Sequence, residues 1–248
     1  MIDLRVGDCL ELMKSIPDSS IDCVITSPPY NKGGVAKSVV KTGQWFRKIA
    51  YNSYDDNMPE DEYYEWQVKI LDECYRILKS NGSVFYNHKV RRFDNQAHFP
   101  KWVFDTKLKF YQMIVWNRNC RVDMNSSYLT PITELVFWFS KDKPKVFKNN
   151  AMCKDDVWQI TPTANKHHPA PFPLKLVENC VLLATEKGDT VLDPFNGIGT
   201  TGVACKKHGR NYIGIDIDSD YIKFSEQRIN NWFIQEDVKI ESGSLLEV

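Results

Sequence analysis

The sequence predicts an α/β fold, a mainly parallel sheet with helices on both faces. Two observations carry this. Short apolar runs of strand length alternate with segments striped at helical spacing, a pattern that builds parallel sheets covered on both sides. The composition, 42% hydrophobic and 26% charged, is ordinary for a globular chain and too apolar for a disordered one. A length of 248 residues fits one large domain, so residues 1–248 are expected to form a single unit.

The elements follow in order. Ile2–Val6 reads as a strand, Leu10–Ile16 as a short helix and Ile21–Thr26 as a second strand. A long basic loop, residues 31–58, comes next; loops of that length are usually functional. Pro59–Lys79 is the clearest helix. Pro59 suits the first helical position, and Glu60, Asp61 and Glu62 suit the positive end of the dipole. Trp66, Ile70, Cys74, Ile77 and Leu78 form its apolar stripe, and Asn81-Gly82 is expected to stop it. Ser83–Asn87, Lys109–Trp116 and Glu134–Phe139 read as strands. Helix Phe172–Glu186 precedes strand Thr190–Asp193. Helix Thr200–His208 ends at Gly209, strand Tyr212–Asp216 follows, and Ser219–Phe233 is the last helix.

Several classes are disfavoured. No apolar run approaches the roughly 18 residues of a membrane span, and the N-terminus lacks a signal pattern, so a cytoplasmic protein with no membrane partner is expected. Seven scattered cysteines contain no C-x-x-C, which reads as free buried thiols. His167 and His168 have no further ligand cluster at suitable spacing, so no metal is expected. The formal net charge of zero does not exclude nucleic acid, because local patches set the field over a cleft. Lys32, Lys37, Lys41 and Arg47 lie in a stretch without acids. Lys89, Arg91 and Arg92 form a second cluster, and Lys141, Lys143, Lys145 and Lys148 a third. Each fits either a DNA-facing patch or a solvated surface.

In parallel sheets, ligands bind beyond the carboxyl ends of the strands. Strand Thr190–Asp193 runs into D-P-F-N-G-I-G-T-T, where Gly197 and Gly199 allow a tight turn and close backbone approach. No Gly-Lys-Ser/Thr follows, and Asp193 would repel phosphates, so a cationic ligand suits this end better. Asp216 closes the next strand, where a carboxylate accepts hydrogen bonds from ribose hydroxyls. Together they suggest a positively charged nucleoside; two capping carboxylates are the plainer alternative. At the end of Ile21–Thr26 stands Ser27-Pro28-Pro29-Tyr30. The Ser27 hydroxyl and the Pro28 carbonyl can accept both hydrogens of an exocyclic amine, and the Tyr30 ring can stack on a flipped base. A rigid proline turn is the alternative.

These residues carry a family resemblance. D-P-F-N-G-I-G-T-T, residues 193–201, resembles the S-adenosylmethionine-binding motif of DNA amino-methyltransferases, and T-S-P-P-Y, residues 26–30, resembles their catalytic motif. The catalytic motif comes first and the cofactor motif late, which resembles the circularly permuted beta class. The segments at Val6–Leu10, Leu78–Ser83 and His168–Pro173 resemble three weaker motifs. The resemblance implies a Rossmann-like methyltransferase fold and S-adenosylmethionine as cofactor. Asp193, Phe195, Gly197 and Gly199 would hold its methionine moiety, with Thr200 and Thr201 opening the helix that faces the carboxylate. Asp216 would bind the ribose and Asp8 would lie near the adenine. Ser27, Pro28, Pro29 and Tyr30 would form the base pocket. It implies double-stranded DNA as partner, and among partners found in the family a second copy of the chain and a cognate restriction endonuclease. The strand Ile2–Val6 would fill the place that the unpermuted order gives to a strand after the last helix. The target-recognition insert would be short, residues 140–167. Serine before Pro-Pro-Tyr is commoner in cytosine-N4 enzymes and aspartate in adenine-N6 enzymes, so N4 of cytosine is the expected target. Adenine N6 is the alternative, and a catalytically silent DNA-binding or specificity subunit a remote one.

Overall fold

A computed structural model describes residues 1–31, 56–119, 128–148, 154–162 and 172–232. Its strands are β1 (Ile2–Val6), β2 (Ile21–Thr26), β3 (Leu78–His88), β4 (Arg91–Phe93), β5 (Gln96–His98), β6 (Lys109–Asn117), β7 (Thr133–Ser140), β8 (Val157–Gln159), β9 (Thr190–Asp193) and β10 (Asn211–Asp216). The helices are α1 (Cys9–Met13), α2 (Glu60–Ile77), α3 (Leu174–Ala184), α4 (Thr200–His208) and α5 (Ser219–Asn230), with a 3₁₀ turn at Lys101–Phe104. Eight strands make one sheet in the order β1-β10-β9-β2-β3-β7-β6-β8. Only β7 runs against its neighbours in it.

Alternation along the central strands divides the core between two faces. Cys23, Ile25, Phe85 and Val191 pack with Val177 and Val181 of α3, Ala204 of α4 and Ile229 of α5. Val24, Val84, Tyr86 and Leu192 point the other way, onto Met13 of α1 and Tyr63, Ile70 and Cys74 of α2. Both faces are covered by helices, which is why β2 is buried along its whole length. Cys9, Cys23, Cys74, Cys180 and Cys205 are buried within these layers. No described helix is long and apolar enough to cross a membrane.

The permuted connectivity is visible in the register. β1 pairs in parallel with β10, Val6 opposite Asp216, so the N-terminal strand takes the sheet position beyond β10.

Some boundaries differ from expectation. α2 stops at Ile77, and Asn81-Gly82 lies inside β3. Leu78 is already extended and pairs with Ile21, after which the register shifts before Cys23 meets Ser83. A Cβ at Gly82 would sit 2.7 Å from the Leu78 side chain and 2.9 Å from the Asp22 carbonyl. Glycine therefore allows the irregular strand to approach β2, and the stop signal marks a bulge. α1, α3 and α5 are each shorter than their striped segments. The β4–β5 hairpin turns through Asp94 and Asn95, both at positive φ, as a two-residue turn of matching twist requires.

The 140–167 segment does not begin beside the strand ends that carry the motifs. Because β7 is antiparallel, Ser140 lies level with Ser83, at the amino ends of the parallel strands. Lys145 N–H donates to the Asn81 carbonyl there, and Lys109 pairs with Asp142 at 2.6 Å. The chain returns through β8, alongside Val115–Asn117. The Lys141–Lys148 cluster is thus on the side of the sheet opposite the motifs.

Candidate active site

The sheet order creates a crevice between β9 and β2. From β9 the chain passes through α4 to β10 on one side. From β2 it passes through α2 to β3 on the other. Adjacent parallel strands whose connections diverge leave a gap beyond their carboxyl ends, where ligands bind. Both singled-out motifs emerge at that gap.

Asp193 ties the two together. Its carboxylate accepts from Thr26 Oγ1 at 2.9 Å, Thr201 Oγ1 at 2.7 Å and the Phe195 amide at 3.1 Å. Thr26 is the last residue of β2, immediately before Ser27, so the cofactor-type loop and the catalytic-type loop share one buried acid. Burial raises its pKa from 3.8 to about 6; the three hydrogen bonds oppose that rise. Asp193 therefore acts as an internal brace, and the surfaces left for a ligand are backbone, Phe195 and the start of α4. The Phe195 ring packs edge-on to Trp66, 5.6 Å between centroids. Gly197 and Gly199 have φ of 50° and 75°. A Cβ at Gly199 would lie 2.6 Å from Ser225 Oγ, so glycine is required there. Among the described residues no side chain caps α4, which leaves first-turn amides for an anionic group. The side chains of Thr200 and Thr201 are buried and turned away from that role. Thr200 Oγ1 accepts from Arg228 at 2.9 Å, and Thr201 serves Asp193.

Asp216, at the end of β10, sits on the same wall beside the glycine loop. It accepts from the Gly197 amide at 2.7 Å and the Asp218 amide at 2.9 Å, and burial raises its pKa. The acid shapes the glycine loop while keeping acceptor capacity on each oxygen. Val6 and Ile217, 53% and 49% exposed, flank it as bare apolar surface. Asp8 is exposed and caps α1 through Oδ1, accepting from the Glu11 amide at 3.0 Å. Two carboxylates beside bare apolar surface can hold a flat heterocycle and its sugar hydroxyls.

On the other wall, Ser27 is half-buried and Pro28 buried. Tyr63 Oη donates to the Pro29 carbonyl at 2.7 Å and lies 3.0 Å from His88 Nε2. Tyr30 is 8% exposed. Its ring leans on His88 at 4.5 Å, and its hydroxyl meets Ser27 Oγ at 2.9 Å, Glu134 Oε2 at 3.1 Å and Asn87 Nδ2. Sequence reasoning gives the work of Tyr30 to its ring; in the fold the hydroxyl is the more constrained group. It also misses Asn87, His88 and Glu134. Their available signal is polar side chains at the carboxyl end of the apolar Ser83–Tyr86 run and at the head of the aromatic Leu135–Phe139 run.

The basic residues separate. Arg91, expected to contact DNA, is 6% exposed at its side chain. Both terminal nitrogens pair with Glu60, at 2.7 and 2.6 Å, and the guanidinium lies over the rings of Tyr63 and Trp102. Stacking and pairing draw it inward, and it also donates to the Asn31 carbonyl at 3.3 Å. Asn31 in turn holds Met58 N–H and C=O at 2.7 and 2.8 Å. Arg91 thus secures the ends of the 31–58 loop and does not face phosphate. Arg92 is exposed, with its guanidinium 4.6 Å from the Tyr128 ring. Lys89 is half-exposed. Lys32, Lys37, Lys41 and Arg47 lie outside the described residues.

Comparison with known proteins follows the same lines. Residues 21–227 match a family model described as DNA methylase, of the N6/N4 class. M.BglII of Bacillus subtilis, a type II methyltransferase, is 29% identical over 260 residues, covering 89% of this chain and 67% of its own. The structure of the cytosine-N4-specific PvuII DNA methyltransferase superposes with a TM-score of 0.72 at 24% identity, over 92% of this chain and 86% of that one. M1.HpyAVI in complex with SAM superposes with a TM-score of 0.65 at 24% identity, over 93% of this chain and all of that one. Family model, switch-point crevice and permuted strand order agree: the chain belongs to the N6/N4 DNA methylases, enzymes of the amino-methyltransferase class.

Proposed function

We propose that this enzyme transfers a methyl group from S-adenosylmethionine to N4 of a cytosine flipped out of duplex DNA. The observation that carries the reading is Ser27 Oγ, a half-buried neutral acceptor braced through Thr26 against the Asp193 loop. The crevice fits the cofactor. The uncapped start of α4 suits its carboxylate, Asp216 its ribose hydroxyls, and the Val6–Ile217 surface with Asp8 its adenine. When bound, it supplies an electrophilic methyl on a sulfonium.

The chain's own part is placement, because in-line displacement gains most from holding the reacting atoms in contact. Ser27 Oγ and the Pro28 carbonyl accept the two amine hydrogens and turn the nitrogen lone pair toward β9. With the cofactor held there, transfer would form the N–C bond as the S–C bond breaks, and the surplus amine proton would leave for solvent. Asp193 holds both loops at fixed separation. Choosing cytosine over adenine rests on Ser27 standing where adenine-N6 enzymes more often carry aspartate. We further propose that residues 1–248 work as one domain, with the basic segment 31–58 and the short insert 140–167 serving DNA recognition, and that the enzyme serves a cytoplasmic restriction-modification system, as the type II name of M.BglII suggests.

The test is product analysis. Purified protein, unmethylated bacterial DNA and S-adenosylmethionine are combined, and the digested nucleosides resolved by mass spectrometry. N4-methylcytosine is expected. N6-methyladenine alone would overturn the choice of base, and no methylated nucleoside would overturn the reading.

A further inference from the structure

Serine is an ambiguous partner for an amine, because its hydroxyl can donate as well as accept. The base pocket works only if Ser27 presents lone pairs to the substrate, so its own hydrogen must be committed elsewhere. We propose that Glu134 is the positioning residue that commits it, acting through Tyr30. This rests on the reading of Ser27 as the amine acceptor.

The argument is a count of hydrogens. Tyr30 Oη has one proton and lies within hydrogen-bond distance of Ser27 Oγ, Glu134 Oε2 and Asn87 Nδ2. Asn87 Nδ2 can only donate; it gives one hydrogen to Tyr30 and one to Glu134 Oε2 at 2.9 Å. The Glu134 carboxylate can only accept, and Arg118 Nη1 lies 3.3 Å from its other oxygen. The tyrosine proton therefore goes to Glu134. Tyr30 Oη then has a lone pair facing Ser27, and Ser27 must donate. The chain runs in one direction, Ser27 O–H to Tyr30 O–H to carboxylate, and both serine lone pairs are left for the pocket. Asn87 cannot relax this by turning its amide, since its oxygen would then face the carboxylate. The network is shielded: the Glu134 and Arg118 side chains are 12% and 14% exposed, and Asn87 is 1% exposed. In such surroundings aligned hydrogen bonds reinforce one another. A distant negative charge thereby makes a neutral serine a better acceptor without putting that charge beside the base.

Glu134→Gln tests this with little change of shape. Its amide would turn its oxygen to Arg118 and its NH₂ to Tyr30 and Asn87, so that Asn87 must turn its own amide as well; Tyr30 then has no charged acceptor for its proton, and Ser27 is no longer committed to donate. Single-turnover transfer from tritiated S-adenosylmethionine to unmethylated bacterial DNA should slow by about 10-fold or more, the scale of one charge-assisted hydrogen bond. Calorimetric affinity for S-adenosylmethionine should stay within about two-fold, since no cofactor contact changes. In a Tyr30→Phe background the same substitution should cost less than about two-fold, because residues that act through one another are not additive. A merely structural Glu134 would not be silenced by removing one phenol oxygen. A wild-type rate for Glu134→Gln, or losses that multiply in the double variant, would overturn the proposal. If Glu134→Gln does not fold, Ser27→Ala with Tyr30→Phe forms the equivalent cycle: silence of Tyr30→Phe in that background supports the relay, and multiplied losses overturn it. Full activity of Ser27→Ala would instead refute the amine pocket itself.

Discussion

Replacing Asp193 with asparagine should change how the ligand-free protein's stability depends on pH. Burial lifts the folded-state pKa from 3.8 to about 6. Between those values the folded protein holds a proton that the unfolded chain has released. The stability from this group is therefore complete below about pH 4 and declines as pH rises through about 6. The difference between those two values corresponds to about 3 kcal/mol. Asparagine has no such titration. Its oxygen can keep the Thr26 and Phe195 bonds, and its NH₂ can donate to the Thr201 hydroxyl now facing Oδ2. The stability difference, variant minus wild type, should grow by about 2–3 kcal/mol from pH 4 to 6.5 and then level off. Burial raises the Asp216 pKa too, but that contribution is common to both proteins and cancels to first order. Urea denaturation at half-unit pH steps measures it. Parallel curves would refute the buried-brace account of Asp193.

Other substitutions separate binding, folding and DNA contact. Asp216→Ala should weaken S-adenosylmethionine by about 1.5–3 kcal/mol, the cost of losing charged hydrogen bonds to a ribose; unchanged calorimetric affinity would remove Asp216 from the site. Gly199→Ala should destabilise the fold by about 1–2 kcal/mol from its positive φ alone, with more from the 2.6 Å approach to Ser225 Oγ, and equal urea midpoints would contradict that. Arg92→Ala should lower the slope of log affinity for DNA against log salt by about 0.9, one phosphate contact. Arg91→Ala should instead lose about 1.5–3 kcal/mol of stability as Glu60 loses its partner; the reverse assignment in paired salt titrations and melts would show that the two arginines were misread.

Much of this architecture is legible in the chain because its signals are local. The runs at Ile21–Thr26 and Thr190–Asp193 are strands buried on both faces, with two polar positions, Asp22 and Thr26, in the first and an acid closing the second. Gly199 and Gly209, both left-handed, bracket α4 where the sequence places the helix. The adjacency of β1 and β10 follows from motif order. What is not legible depends on partners distant in sequence. Arg91 belongs to a basic cluster by composition, and only the fold supplies Glu60, Tyr63 and Trp102 around it. Glu134 reads as the head of a strand until β7 packs beside β3 and sets it against Tyr30 and Asn87. Gly82 reads as a helix stop because the bulge it permits depends on β2. The placement of Ser140 at the far end of the sheet follows from β7 running antiparallel, a direction that periodicity does not encode.

Ser27→Ala tests the central claim, that cofactor crevice and base pocket are neighbouring but separate halves of one methyl-transfer site. It removes one oxygen and leaves the Thr26–Asp193 brace untouched. Calorimetric affinity for S-adenosylmethionine, measured together with the single-turnover rate on unmethylated DNA, gives the answer. The account predicts cofactor affinity within about two-fold of wild type and a rate lower by about 10²-fold, the order expected when a positioning contact made in the transition state is lost. A wild-type rate, or a fall in cofactor affinity that accounts for the whole loss, would contradict it.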